Sequence, residues 1–142
     1  MSKGNYRDMW VFCEQNRGRF VPVTLEMLGE ARRLMDKYNA DYKETERVVA
    51  VVFGRGIDSL VTQAFSAGAD VVYACDHAEL EHFRLEPYTK LLSKAAMGQD
   101  AYKTYDKPRY FLFPATNNGR DLSATGMAAL DSGLASDCNL LY

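Results

Sequence analysis

The chain has 142 residues, 47% of them hydrophobic and 25% charged, with a formal net charge of −2 at pH 7. That length suits a single domain whose core needs no staples. The charge offers no basic footprint for nucleic acid, and no apolar run approaches the ~20 residues of a membrane span, which excludes membrane insertion. Met1 to Trp10 lacks the long apolar core of a signal peptide. Cys13, Cys75 and Cys138 are far apart and form no C-x-x-C motif, so they read as small, buried, reduced thiols of a cytoplasmic protein.

Trp10-Val11-Phe12-Cys13 is the first predicted strand, followed by a turn at Asn16–Arg19 and a short return arm, Phe20–Val23. Thr24 is the predicted N-cap of a helix of about four turns, with Leu28, Ala31, Leu34, Met35 and Tyr38 at helical spacing. Val48–Phe53 is apolar throughout rather than alternating, which suits a parallel strand buried on both faces. Leu60, Val61, Ala64 and Phe65 mark a short helix closed by Gly68, and Val71–Cys75 is the next strand, ending at Asp76. Strand, helix and strand within ~30 residues make a right-handed βαβ unit. A third helix has Pro87 in its first turn and Tyr88, Leu91, Leu92 and Ala95 on one face, and ends at Gly98. Residues 99–108 read as an exposed loop. Arg109–Phe113 then forms a strand, Thr116–Gly119 a turn, and Asp121 opens a helix; a last short strand follows Gly133. The expected fold is α/β: a mainly parallel, twisted sheet of about five strands with helices on both faces.

Gly54-Arg55-Gly56-Ile57-Asp58-Ser59 follows a strand but has neither the third glycine of G-x-G-x-x-G nor a G-K-[ST] ending, so it reads as a turn with Asp58 or Ser59 as cap. His77 and His82 are five apart and do not share a helical face as the histidines of H-E-x-x-H do, which argues for a solvated loop rather than a metal site. No nucleophile–base pairing stands out, so no catalytic residue is assigned. Two polar segments lie at strand ends, where open α/β sheets meet ligands. Arg84 and Glu86 make either a local ion pair at a helix entry or a polar rim facing a partner. Asn117, Asn118, Gly119 and Arg120 combine a guanidinium with the free N–H groups of a helix start, a setting for a phosphate or a partner carboxylate. The structural alternative is that Asp121 pairs with Arg120 or caps the helix.

Six segments occur in a telling order: Phe12-Cys13-Glu14-Gln15, Pro22-Val23-Thr24-Leu25-Glu26-Met27-Leu28-Gly29, Ala67-Gly68-Ala69-Asp70, Arg84-Leu85-Glu86-Pro87-Tyr88-Thr89-Lys90, Thr116-Asn117-Asn118-Gly119-Arg120-Asp121-Leu122 and Gly133-Leu134-Ala135-Ser136-Asp137-Cys138. Each is weak alone, but together, over nearly the whole chain, they resemble the N-terminal domain of the electron transfer flavoprotein alpha subunit, especially its bacterial members. Two departures stand out. Ser123-Ala124-Thr125-Gly126 replaces a usual proline and arginine, and residues 99–108 make a longer loop than usual.

The resemblance implies one nucleotide-binding-like (adenine nucleotide alpha hydrolase-like) domain over residues 1–142, with the family's C-terminal FAD-binding domain absent from this chain. It implies a heterodimer with a beta subunit, carrying electrons from flavin dehydrogenases to an acceptor, as in fatty acid oxidation. FAD would then be bound mainly outside this chain, with none expected on the chain alone, and the domain would be an electron-carrier component rather than an enzyme. The alternative is a free-standing adenine-nucleotide-binding module of the same fold.

Overall fold

The structure, a computed structural model, describes residues 6–96 and 107–130. Strand β1 (Tyr6–Phe12) leads through a hairpin of β2 (Gln15–Asn16) and β3 (Arg19–Phe20) into helix α1 (Pro22–Tyr42). Then come β4 (Val48–Gly54), α2 (Asp58–Ala67), β5 (Val71–Asp76), a 3-10 turn (Ala78–Leu80), α3 (Leu85–Ala96), β6 (Lys107–Leu112) and α4 (Asn117–Leu130). β1, β4, β5 and β6 form one sheet in the order β5-β4-β1-β6, and every pairing in it is parallel. The fold is therefore α/β, as expected. Among the described residues the sheet has four strands; the predicted strand after Gly133, Gly98 and Cys138 lie outside them.

The chain steps outward from β1 to β4 to β5, then returns across the sheet to place β6 on the other side of β1. With right-handed crossovers, that reversal puts α1 and α2 on one face and α3 and α4 on the other. The contacts agree, because α1 packs on α2 and α3 packs on α4. The crevice between the carboxyl ends of β1 and β6 is then the topological switch point, the place where such sheets meet ligands.

β4 is buried at all seven positions, which is why its apolarity is continuous. Beside it Trp10, Phe12, Phe53, Phe111 and Phe113 form an aromatic layer, with Phe111 and Phe113 stacked at 4.6 Å and Trp10 set 5.7 Å from Phe111. Tyr88 of α3 meets this layer edge-on, 5.6 Å from Phe53. Each such buried ring contributes about 2–3 kcal/mol through the area it removes from water.

Several expected boundaries shift. α1 begins at Pro22 with Val21 as N-cap, because proline supplies the helical φ and needs no partner for a missing N–H. Thr24 is not the cap: it is buried inside the first turn. At 21 residues α1 runs for about 30 Å, longer than the predicted four turns. Phe65 is 49% exposed while Leu60 and Ala64 of the same helix are buried. Lys107 and Pro108 of the predicted loop 99–108 belong to β6, the rest of that prediction lying outside the described residues, and α4 starts at Asn117 rather than Asp121. No described helix is long and apolar enough to cross a membrane.

Candidate functional site

The switch-point crevice is built around Glu14. β1 keeps its ladder one residue past Phe12, where the Cys13 N–H donates to the Val51 carbonyl at 2.9 Å, and Glu14 is the first side chain released at the strand end. Its carboxylate accepts hydrogen bonds from the Thr116 hydroxyl and from the Asn118 side-chain amide at 3.2 Å. Its carbonyl accepts from the Thr24 hydroxyl at 2.8 Å and from the Val21 N–H at 3.2 Å. Thr116 Oγ1 in turn accepts the Gly119 N–H at 3.0 Å, which makes Thr116 the cap of α4. One residue thus joins the end of β1 to the start of α1 through its backbone carbonyl and to the start of α4 through its carboxylate, which sits where the α4 dipole favours negative charge.

Gln15 braces the neighbouring strand end. Its Nε2 donates to the Phe53 carbonyl at 3.2 Å and its Oε1 accepts the Gly18 N–H at 2.9 Å. Gly54 has no room for a side chain, because a Cβ there would lie 2.7 Å from Ile57 Cγ2 and 2.8 Å from Gln15 Nε2. The Tyr88 hydroxyl donates to the Leu80 carbonyl at 2.7 Å. Burial pushes this phenol up to about 12, against a smaller lowering effect of its hydrogen bond with Gln15.

A second carboxylate fills the turn after β4. Asp76, at the end of β5, accepts the Gly56 N–H at 2.9 Å and the Ile57 N–H at 3.2 Å. These two bonds hold its carboxyl below the ordinary value, with a smaller contribution from Arg55. The start of α2 is therefore served from a neighbouring strand, and neither Asp58 nor Ser59 is its cap. Backbone N–H groups that could hold a phosphate already hold a carboxylate. His77 Nδ1 accepts the Glu79 N–H at 3.0 Å, and no cluster of His, Cys, Asp and Glu suited to a metal exists among the described residues. Cys13 is buried and Cys75 half-buried; desolvation raises both thiols, and the Asp76 carboxylate raises Cys75 further.

The predicted site residues separate into two groups. Asn117, Asn118, Gly119 and Arg120 form the first turn of α4, at the switch point. Asn118 is engaged with Glu14, whereas Gly119 is buried where a Cβ would lie 2.1 Å from the Pro114 carbonyl oxygen. Asn117 is exposed, and so is Arg120, whose guanidinium enters no ion pair among the described residues. Arg84 and Glu86 lie exposed at the entry of α3, after the opposite edge strand, and no ion pair joins them. Glu14, Thr116 and Asp76 are the residues that reasoning from sequence missed. Glu14 and Asp76 each carry an acid directly at the end of a predicted strand, which was the available signal.

The model of the electron transfer flavoprotein domain matches residues 9–141, almost the entire chain. The chain belongs to the electron transfer flavoprotein family. It is 38% identical over 134 residues to the electron transfer flavoprotein subunit alpha of Thermoanaerobacterium thermosaccharolyticum, covering 94% of this chain and 37% of that protein. It is 36% identical over 137 residues to Protein FixB of Rhizobium meliloti, covering 96% of this chain and 36% of that protein. With the acryloyl-CoA reductase electron transfer subunit beta of Anaerotignum propionicum it shares 34% identity over 137 residues, 96% of this chain and 34% of that protein. The chain thus spans about a third of the length of these curated relatives. Within the electron transfer flavoprotein family it is an alpha-type N-terminal domain, with the family's nucleotide-binding-like fold.

Proposed function

We propose that this domain is the scaffold part of an electron transfer flavoprotein alpha subunit. It pairs with a beta subunit, and the assembly carries electrons from flavin dehydrogenases to an acceptor, with FAD held mainly outside this chain. The domain makes and breaks no bonds itself; redox chemistry belongs to the flavin, and the protein contributes position and electrostatics. One observation supports this reading above the alternative of a nucleotide-binding module. Both places at the carboxyl edge where a phosphate would sit are filled by the chain's own acids, Glu14 against Thr116 and Asn118, and Asp76 on the Gly56 and Ile57 amides. An incoming phosphate would have to displace negative charge and break those bonds. The described residues therefore do not fit the pyrophosphate of FAD or of an adenine nucleotide.

Calorimetric titration of the purified chain with ATP, AMP and FAD, together with its visible spectrum, tests this. The expected result is no saturable binding of any of the three, no flavin absorption, and a complex with an electron transfer flavoprotein beta subunit. Micromolar binding of an adenine nucleotide, abolished by Arg120→Ala, would establish the nucleotide-binding module instead.

A further inference from the structure

On the same edge of the sheet, away from the switch point, lies a cleft of about 480 Å³ lined by Arg17, Gly18, Arg55, Gly56, Glu81 and His82. The β2–β3 turn forms one wall and the turn after β4 another, with the segment before α3 closing the third side. We propose that this cleft binds a carboxylate-rich segment of a partner protein.

Charge is the first argument. Two guanidinium groups and the His82 imidazole line the cleft with the single lining carboxylate of Glu81, while Asp76 lies behind it with its oxygens already committed to the Gly56 and Ile57 N–H groups, in a chain whose net charge is −2. Arg17 is exposed at the hairpin turn and enters no ion pair among the described residues. Among the described residues the ion pair of Arg55 is with Glu81, at 3.3 Å, with both side chains about half exposed at 60% and 48%, and the Asp76 carboxylate acts on it from farther away. Such an exposed pair is weak and exchanges readily, so an arriving carboxylate can replace Glu81 on Arg55 at little cost. Planar guanidinium forks on two different turns suit two carboxylates along an extended chain.

The lining also discriminates against nucleotides. Phosphate seats are usually made by backbone N–H groups, but the Gly18 N–H is bonded to Gln15 and the Gly56 N–H to Asp76. No aliphatic or aromatic side chain lines the cleft to take a base. Gly18 and Gly56 leave it open, since a Cβ at either would meet nothing within 4 Å. This chemistry is independent of the electron-transfer reading.

The test uses the whole chain and a fluorescein-labelled ten-residue peptide alternating glutamate and glycine, followed by anisotropy at low ionic strength. Saturable binding is expected, weakened about three- to fivefold by Arg17→Ala or Arg55→Ala and about tenfold or more by both, the scale of exposed charge pairs. Arg33→Ala, which changes an exposed arginine of α1, should leave affinity unchanged, and the glutamine version of the peptide should not bind. Melting midpoints of the variants, read alongside, should match the parent. Absence of binding, or equal binding by the double variant, would overturn the proposal. So would competition by inorganic phosphate at a far lower concentration than free glutamate, which would make the cleft a phosphate site.

Discussion

Glu14 gathers four hydrogen bonds from two segments, the starts of α1 and α4, two on its backbone carbonyl and two on its carboxylate, and changing its side chain separates charge from shape. Glu14→Ala leaves a hydroxyl and an amide without their acceptor in a half-buried place, which costs about 1–3 kcal/mol. For a domain of this size that is a fall in melting midpoint of roughly 3–10 °C. Glu14→Gln keeps an acceptor oxygen and should cost less. An equal loss for both would show that charge against the α4 terminus, rather than the hydrogen-bond geometry, sets the effect. Gly119→Ala acts differently, because its methyl group would meet the Pro114 carbonyl at 2.1 Å and the backbone must move. About 2–3 kcal/mol of destabilisation is expected, visible as a lower urea midpoint with an unchanged slope. Arg120 is exposed and should affect association rather than folding. If it meets an acidic group of the beta subunit, Arg120→Ala weakens that complex by about 1.5–3 kcal/mol with a nearly constant melting midpoint. Arg120→Lys should rescue only in part, since lysine lacks the planar fork. A large drop in melting midpoint with unchanged affinity would make Arg120 a folding residue.

The elements show what a sequence carries and what it hides. β4, the apolar face of α1 and, in α2, Leu60 and Ala64 though not Phe65 were legible because burial imposes a period on neighbouring residues. The cap of α2 was not, because its donors at Gly56 and Ile57 find their acceptor about 20 residues later, in Asp76. Nor was the partnership of Glu14 with Thr116 and Asn118, which lie 102 and 104 residues away and meet only once β6 returns beside β1. Asn118 and Gly119, expected from the sequence to face a partner or an anion, are drawn inward here, toward Glu14 and Pro114. The Asp76 arrangement carries a pH signature. Its carboxyl is held below the ordinary 3.8, so the folded state prefers the charged form. The stabilisation is complete above the unfolded value and is lost as pH falls through the lower folded value. Asp76→Asn should therefore melt below the parent at pH 6, and the gap should close on acidification to about pH 2–3. A gap that stays constant across that range would mean that Asp76 does not act through its charge.

Across the whole molecule, the two ends of β1 are tied down by separate polar devices. At the carboxyl end stands Glu14. At the amino end the fully buried Asp8 adopts a φ of 72°, a left-handed conformation that is unusual within a strand. Its N–H donates to Glu46 Oε1 at 2.8 Å, and its carboxylate accepts the Arg47 N–H at 2.8 Å and the Arg47 guanidinium at 2.7 Å. These bonds hold the α1–β4 connection against the strand, while Asn39 of α1 clasps the Glu46 backbone at 2.8 and 2.9 Å. Removing one partner of a buried charge pair costs about 3–5 kcal/mol. Arg47 is 37% exposed, so solvent reduces that here to about 2–3 kcal/mol for Asp8→Ala. Asp8 and Glu14 are six residues apart on an extended path, about 20 Å, and their hydrogen bonds among the described residues go to different partners. Their effects on stability should therefore add to within about 0.5 kcal/mol in the double variant Asp8→Ala/Glu14→Ala. Asp8→Ala and Arg47→Ala, by contrast, should show a coupling of about 1–2 kcal/mol, because each removes the same bond. Urea unfolding of the two cycles decides the matter. Coupling between Asp8 and Glu14 as large as that between Asp8 and Arg47 would mean that β1 transmits strain along its length, and that the switch-point crevice is held from both ends of the sheet at once.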